Sequence, residues 1–194
     1  LHINLYNLKV NIKSFYIIFF IVLFATTKFH FRFNIDRKFH DLENVRKSEA
    51  INANEIHKNF NKLQWISKFD SPRNELTVIK QAMQVIENDE REISLLTHYQ
   101  FISTFLDKPL NLLNRWYLWD NNTHPTENHK YFEFYKLMIN KNIKKNNIKV
   151  IYLLGQENEI MFENVKNYFP DVCFESKVII QKRFSAHKLT KCSR

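Results

Sequence analysis

The chain has 194 residues, a formal net charge of +9, 18 phenylalanines, 8 tyrosines and a single glycine, Gly155. One glycine excludes the Walker loop, the dinucleotide fingerprint and the G-x-S-x-G nucleophile elbow, which need two or more where the backbone turns tightly or approaches phosphate. The positive charge suits nucleic acid, anionic lipid or an acidic polymer. Lys145 stands among asparagines rather than in a dense basic block, and richness in Lys, Asn, Ile and Phe is what an AT-rich coding sequence yields, so nucleic acid is disfavoured as a partner.

The chain opens on Leu1 rather than Met, and the expectation is a piece of a larger protein. Residues 1–27 read as a membrane helix with its flank, and residues 28–194 as one soluble α/β domain. Residues 15–25 form an unbroken apolar run between Lys13 and Lys28. As a helix the run covers about 16 Å, against a bilayer core of about 30 Å. Extended over residues 10–27 it reaches about 27 Å, with Lys13 snorkelling to the head groups. A cleaved signal peptide also fits the run, although Ala25-Thr26-Thr27 is a poor cleavage site. A buried soluble helix is disfavoured because no polar face interrupts the run. Lys9 and Lys13 flank one side, Lys28, Arg32, Arg37 and Lys38 the other. The positive-inside rule points the domain to the cytoplasm, yet long domains translocate largely regardless of charge.

Phe29, Phe31, Phe33 and Ile35 alternate with polar residues, a period of two that predicts a strand. A helix is expected over 49–61 and a short strand over 63–66. Ser71-Pro72 opens the clearest helix, with Ser71 as N-cap and Pro72 in the first helical position. Glu75 lies one residue too far for a capping box. Leu76, Ile79, Met83 and Ile86 should face the core, with the helix ending near Asn88. Residues 93–99 read as a buried strand. A helix is expected from Glu127 to about Lys145, with Tyr131, Phe134, Tyr135, Met138 and Ile139 as its apolar stripe and Lys141, Lys144 and Lys145 at its C-terminus, where the helix dipole favours cations. Residues 148–154 form the most apolar strand, ending at Gly155. A helix over 157–168 and strand-like residues at 172–174 and 178–180 follow. Helices alternating with strands predict a layered α/β domain with a mostly parallel sheet.

The segment from Asn114 to Asn128 carries the densest candidate chemistry. In parallel α/β sheets ligands collect outside the carboxyl ends of strands. Trp116, Tyr117 and Trp119 can stack on a sugar ring or base, and Arg115, Asp120, Asn122 and His124 can supply hydrogen bonds. The competing reading puts the aromatics in the core and makes Asn121-Asn122-Thr123 a turn before a helix. His124-Pro125 before a helix also resembles the last block of SGNH esterases, but Asp120 sits one residue too far. The nucleophile would be Ser71 after Asp70, where Phe69 replaces the family's glycine and a helix cap explains the serine. His98 and His124 lack a third ligand of plausible spacing, so no metal site is expected, and no cofactor is implied. Cys173 and Cys192 match no zinc motif. Both are ordinary thiols in a reducing compartment, and a candidate disulfide stapling the C-terminal tail in an oxidising one.

Thr27-Lys28-Phe29-His30-Phe31-Arg32-Phe33, Leu96-Thr97-His98-Tyr99-Gln100-Phe101, Asn114-Arg115-Trp116-Tyr117 and Ile148-Lys149-Val150-Ile151-Tyr152 together resemble the C-terminal region of large polytopic bacterial membrane proteins. Those are similar to membrane glycosyltransferases of the dolichyl-phosphate-mannose or lipid A arabinose transferase type. The resemblance implies that residues 15–27 are the last membrane helix of an inner-membrane protein and that the domain after it is periplasmic. The family's chemistry uses acidic residues in loops between early membrane helices, which have no counterpart here, so no catalytic residue carries over. The domain would be accessory, with membrane lipid, a glycan or a lipid-linked sugar as its partner.

Overall fold

The computed structural model describes residues 12–35, 45–67, 70–113, 117 and 124–192. Helix α1 (Ile12–Phe29) is followed by two-residue strands β1 (Ile51–Asn52) and β2 (Gln64–Trp65), helix α2 (Pro72–Glu87), strand β3 (Ile93–Thr97) and helix α3 (Phe132–Lys145). Strand β4 (Val150–Leu154), helix α4 (Asn158–Lys166) and strands β5 (Val172–Ile180) and β6 (Phe184–Lys191) complete the chain.

None of the 18 residues of α1 is buried. The helix is long and apolar enough to cross a membrane, with a mean hydropathy of 1.7 over an 18-residue window within Ile12–Arg32. Thr26 near its C-terminus bonds back to the helix: its Oγ1 donates to Val22 O at 2.6 Å and Leu23 O at 3.0 Å. That back-bonding satisfies the Thr26 hydroxyl in an apolar medium. The strand expected over 29–35 is instead a π-helical continuation, His30–Ile35. A strand needs a neighbour to bond its backbone, and among the described residues no strand pairs with this segment, which keeps its bonds within the helix.

The main sheet has the order β3-β4-β6-β5. Strand β3 pairs parallel with β4, while β6 is antiparallel to both β4 and β5. The expected mostly parallel sheet is therefore corrected to a mixed, mostly antiparallel one. The cause is β6 (Phe184–Lys191), whose polar residues blur the alternation that predicts a strand. A turn of three residues, Gln181 to Arg183, reverses the chain at the end of β5, and so short a link joins only antiparallel strands. Lys182 holds φ 59° in that turn, a left-handed position unmarked by glycine or asparagine. The two strand-like pieces at 172–174 and 178–180 are one strand with an irregularity between Val178 and Ile180.

Successive strand residues point to opposite faces, and β4 shows this cleanly. Val150, Tyr152 and Leu154 enter one core with Ile79, Ala82 and Ile86 of α2; Ile151 and Leu153 enter a second core with Ile139 of α3 and Met161 and Val165 of α4. The result is a helix–sheet–helix sandwich. Ser71 caps α2 by accepting from Asn74 N at 3.2 Å, with Pro72 starting the helix. The helix expected over 49–61 is three short 3-10 turns around β1. Helix α3 begins at Phe132 rather than Glu127, and its buried line is Phe132 and Ile139, with Tyr135 and Ile143 packed beside them. Tyr131, Phe134 and Met138, expected in the core, are exposed.

Cys173 on β5 is joined to Cys192, just past β6, with Cα atoms 5.0 Å apart. Cys173 faces Thr190 across the hairpin. Cys192 is thus its diagonal neighbour on the same face, within reach of a bridge.

Candidate functional site

Three groups of polar side chains are positioned by this fold. The first lies beyond the carboxyl ends of the parallel pair β3–β4. His98 follows β3 and Gly155 follows β4. A Cβ on Gly155 would meet His98 Nδ1 at 3.3 Å and Met161 Sδ at 3.4 Å, so the glycine permits close approach of the histidine ring. His98 stacks at a tilt on Tyr99, ring centres 3.8 Å apart. The Tyr99 hydroxyl donates to Glu75, whose other oxygen accepts from Trp65 Nε1 at 3.0 Å. Glu75 sits in the first turn of α2, is buried, and so ties β2 and the chain after β3 to that helix. A few residues before it, Asp70 Oδ2 lies 3.5 Å from Arg183 Nη2 in the β5–β6 turn. Burial pushes the His98 pKa down, with Arg183 acting in the same direction and Glu75 opposing. Burial and the Glu75 carboxylate push the Tyr99 hydroxyl up. Tyr99 thus stays a neutral donor and His98 a neutral imidazole near pH 7. Of this group only His98 stands out in the sequence as a candidate site residue. Glu75 was visible only as a misfit capping residue, and that misfit was the available signal: an acid on the buried side of an amphipathic helix needs donors from elsewhere.

The second group lines a pocket formed in part by residues 124–128. His124, Pro125, Thr126, Glu127, Asn128, Phe132, Asn164, Asn167 and Tyr168 enclose about 170 Å³. His124 is buried, its ring parallel to Tyr117 at 4.3 Å and edge-on to Tyr168 at 6.4 Å. Tyr168 Oη donates to Pro125 O at 2.8 Å, fixing the loop to the end of α4. Tyr117 is fully buried in the second core, which makes it a packing residue. Arg115, Trp116, Trp119, Asp120 and Asn122 lie outside the described residues. Amides, a carboxylate and hydroxyls around aromatic faces are the groups that recognise sugar hydroxyls and ring faces.

The third group is internal. His187 on β6 lies between two serines, Nδ1 2.8 Å from Ser176 Oγ and Nε2 2.8 Å from Ser185 Oγ. Asn158 Nδ2 donates to Ser185 Oγ at 3.1 Å, and Phe162 stacks on the imidazole at 3.7 Å. Burial lowers the His187 pKa to about 4. Both ring nitrogens are engaged and Ser185 is buried, while Ser176 is exposed on β5; the hydrogen bonds and the Phe162 stack lock α4 and β5 to β6.

The esterase pair is not assembled. Ser71 opens α2 against the first core and its hydroxyl is used as a cap, while His124 packs into the second core on the other face of the sheet. Among the described residues no three His, Cys, Asp or Glu side chains come together as metal ligands. No protein-family model, curated protein or solved structure matches the chain.

Proposed function

We propose that residues 45–192 form an accessory, periplasmic domain of a membrane-bound glycosyltransferase-like protein, anchored by α1 and contacting a glycan or lipid-linked sugar through the His124 pocket, with Trp116 and Trp119 as candidate contacts from the sequence. The observation that carries the reading is α1, an apolar helix with every described side chain unburied. Such a surface is stable in lipid and costly in water. Its 18 residues give about 27 Å, which the helical continuation past Phe29 extends toward full bilayer thickness. The Cys173–Cys192 bridge favours an oxidising compartment. The pocket contributes amide and hydroxyl groups next to Phe132 and Tyr168, with room for one sugar ring.

A free-standing, signal-anchored glycan-binding protein shares this site and differs upstream of Leu1. Genomic sequence before Leu1 separates the two: further membrane helices support the transferase reading, and a start codon immediately before the anchor sinks it. The site has its own test in saturation-transfer NMR with polyprenyl-phosphate-linked and free hexoses. Trp116→Ala, Trp119→Ala and Asn128→Ala should each weaken binding at least about tenfold, the scale of one lost stacking or hydrogen-bond contact. Unchanged binding in all three removes the site.

A further inference from the structure

We propose that the outer face of α3 is a second, peripheral membrane contact, which docks on the surface of an anionic bilayer. The proposal rests on the anchoring role of α1 only in that the anchor keeps the domain within reach. Residues 36–44 span at most about 30 Å.

Helix α3 needs one apolar line for the core, and Phe132, Tyr135, Ile139 and Ile143 supply it. A second apolar line runs along the opposite side. Tyr131 is 57% exposed, Phe134 72% and Leu137 69%, with Met138 beside them at 36%. Their spacing of three and four residues places them on one face. One turn further along that face the chemistry changes to Lys141, Lys144 and Lys145, all exposed. Leu137, Asn140 and these three lysines line a broad, shallow depression. At the other end Lys130 Nζ lies 4.7 Å over the Tyr131 ring. Glu133 is the one acidic residue of α3, and it is neutralised by Lys136 at 3.5 Å.

Aromatic and aliphatic residues flanked by lysines are the composition of a helix lying in a head-group layer. Lysine stems lie along apolar surface while their ammonium groups reach phosphate. The charge selects the occupant. Lys141, Lys144 and Lys145 form no ion pair among the described residues, so their charge is available to lipid phosphates. Attraction of this kind strengthens surface binding about fivefold per lysine.

The test uses the full chain with vesicles of phosphatidylcholine alone and of phosphatidylcholine with 30 mol% phosphatidylglycerol. Flotation reports the anchor, and hydrogen exchange over residues 131–145 reports the α3 face, with β4 amides as the internal folding control. The expected result is flotation with both vesicles and at least about tenfold slower exchange in α3 on the anionic ones only. The triple variant Lys141→Glu, Lys144→Glu, Lys145→Glu should abolish that slowing while β4 protection and flotation persist. Equal exchange on the two vesicles overturns the proposal and leaves the anchor standing. Slowing that survives the triple variant also overturns it. Flotation with anionic vesicles alone, lost in the triple variant, removes the anchor and supports the α3 contact. Flotation with neither removes both. Protection by soluble polyglutamate without protection by anionic vesicles assigns the face to an acidic polymer and overturns the lipid assignment.

Discussion

The two faces of the sheet are built on different principles. On the α2 face the contacts are apolar and nearly complete: Ile79, Ala82, Ile86, Ile93, Leu95 and Val150 are fully buried. The polar side chains there are paired: Glu75 with Tyr99 and Trp65 at one end, and Tyr152 with Asp89. On the α3/α4 face a histidine, a serine and an asparagine are threaded into the packing, and α3 turns an apolar side outward. The first face has no apolar surface to spare. The second has more than its core uses, and it adjoins both the pocket and the lysine cluster. Stability is concentrated on one side, and chemistry that faces outward on the other.

The largest effect that checks this contrast comes from α2. Ile86→Ala should cost about 2–5 kcal/mol, because a fully buried side chain leaves a cavity that a sheet-backed site fills poorly. Urea unfolding of the detergent-solubilised chain measures it, and a loss below about 1 kcal/mol would mean that this face is not the stable one.

Next comes His187, whose pKa is lowered to about 4 from an unperturbed value near 6.5. A folded state that holds the imidazole neutral binds fewer protons than the unfolded chain between those values. Its stabilising contribution is therefore complete above about pH 6.5 and is lost as pH falls through 4, on the order of 3 kcal/mol in total. Asp89 titrates lower. Burial works to raise its pKa, but hydrogen bonds from Arg91 and Tyr152 outweigh that and hold it at about 2. Its contribution is lost only between about pH 4 and 2, so the two windows separate. Unfolding midpoints from pH 7 to 4.5 should slope for the wild type and flatten for His187→Gln. Equal slopes would show that the histidine is not held neutral.

Ser71→Ala should cost about 1 kcal/mol, the worth of an N-cap, read by the same titration. If Ser71 were a nucleophile the change would abolish an ester-hydrolase activity, whereas a cap alone predicts a small stability loss. The smallest effect is expected on α3. Leu137→Ala should change stability by no more than about 0.5 kcal/mol in detergent, since an exposed side chain leaves no cavity. A loss comparable to that of Ile86→Ala would place Leu137 in a packed interface and erase the contrast between the faces.

Sequence legibility follows the same division. The α2 face could be read because its pattern is redundant: a cap, a helix-starting proline and an i, i+3, i+7 stripe agree, and Leu76, Ile79 and Ile86 are buried as the spacing says. The α3 stripe misled because the helix carries apolar residues on two sides, and periodicity alone does not say which side meets the sheet. Strand β6 went unseen because Ser185, His187, Lys188 and Thr190 dilute its alternation and a lysine occupies the turn position where glycine or asparagine would have announced a hairpin. The polar group around Glu75 joins residues far apart in sequence, Trp65, Tyr99 and Glu75, which no local motif can display.

The placement of β6 bears on how this domain is made. It is the last strand in chain order and occupies a central position, between β4 and β5. During synthesis β3, α3, β4 and α4 emerge first, with one long side of β4 still unpaired. The sheet closes only when residues 184–191 arrive, so assembly waits for the end of the described chain rather than proceeding from its start. A ribosome that stops short of Phe184 would release a helix ready for the membrane attached to an open strand edge, a species prone to pair with its own copies. The bridge from Cys173 to Cys192 forms only after that last step, and then ties the latest strand to its hairpin partner.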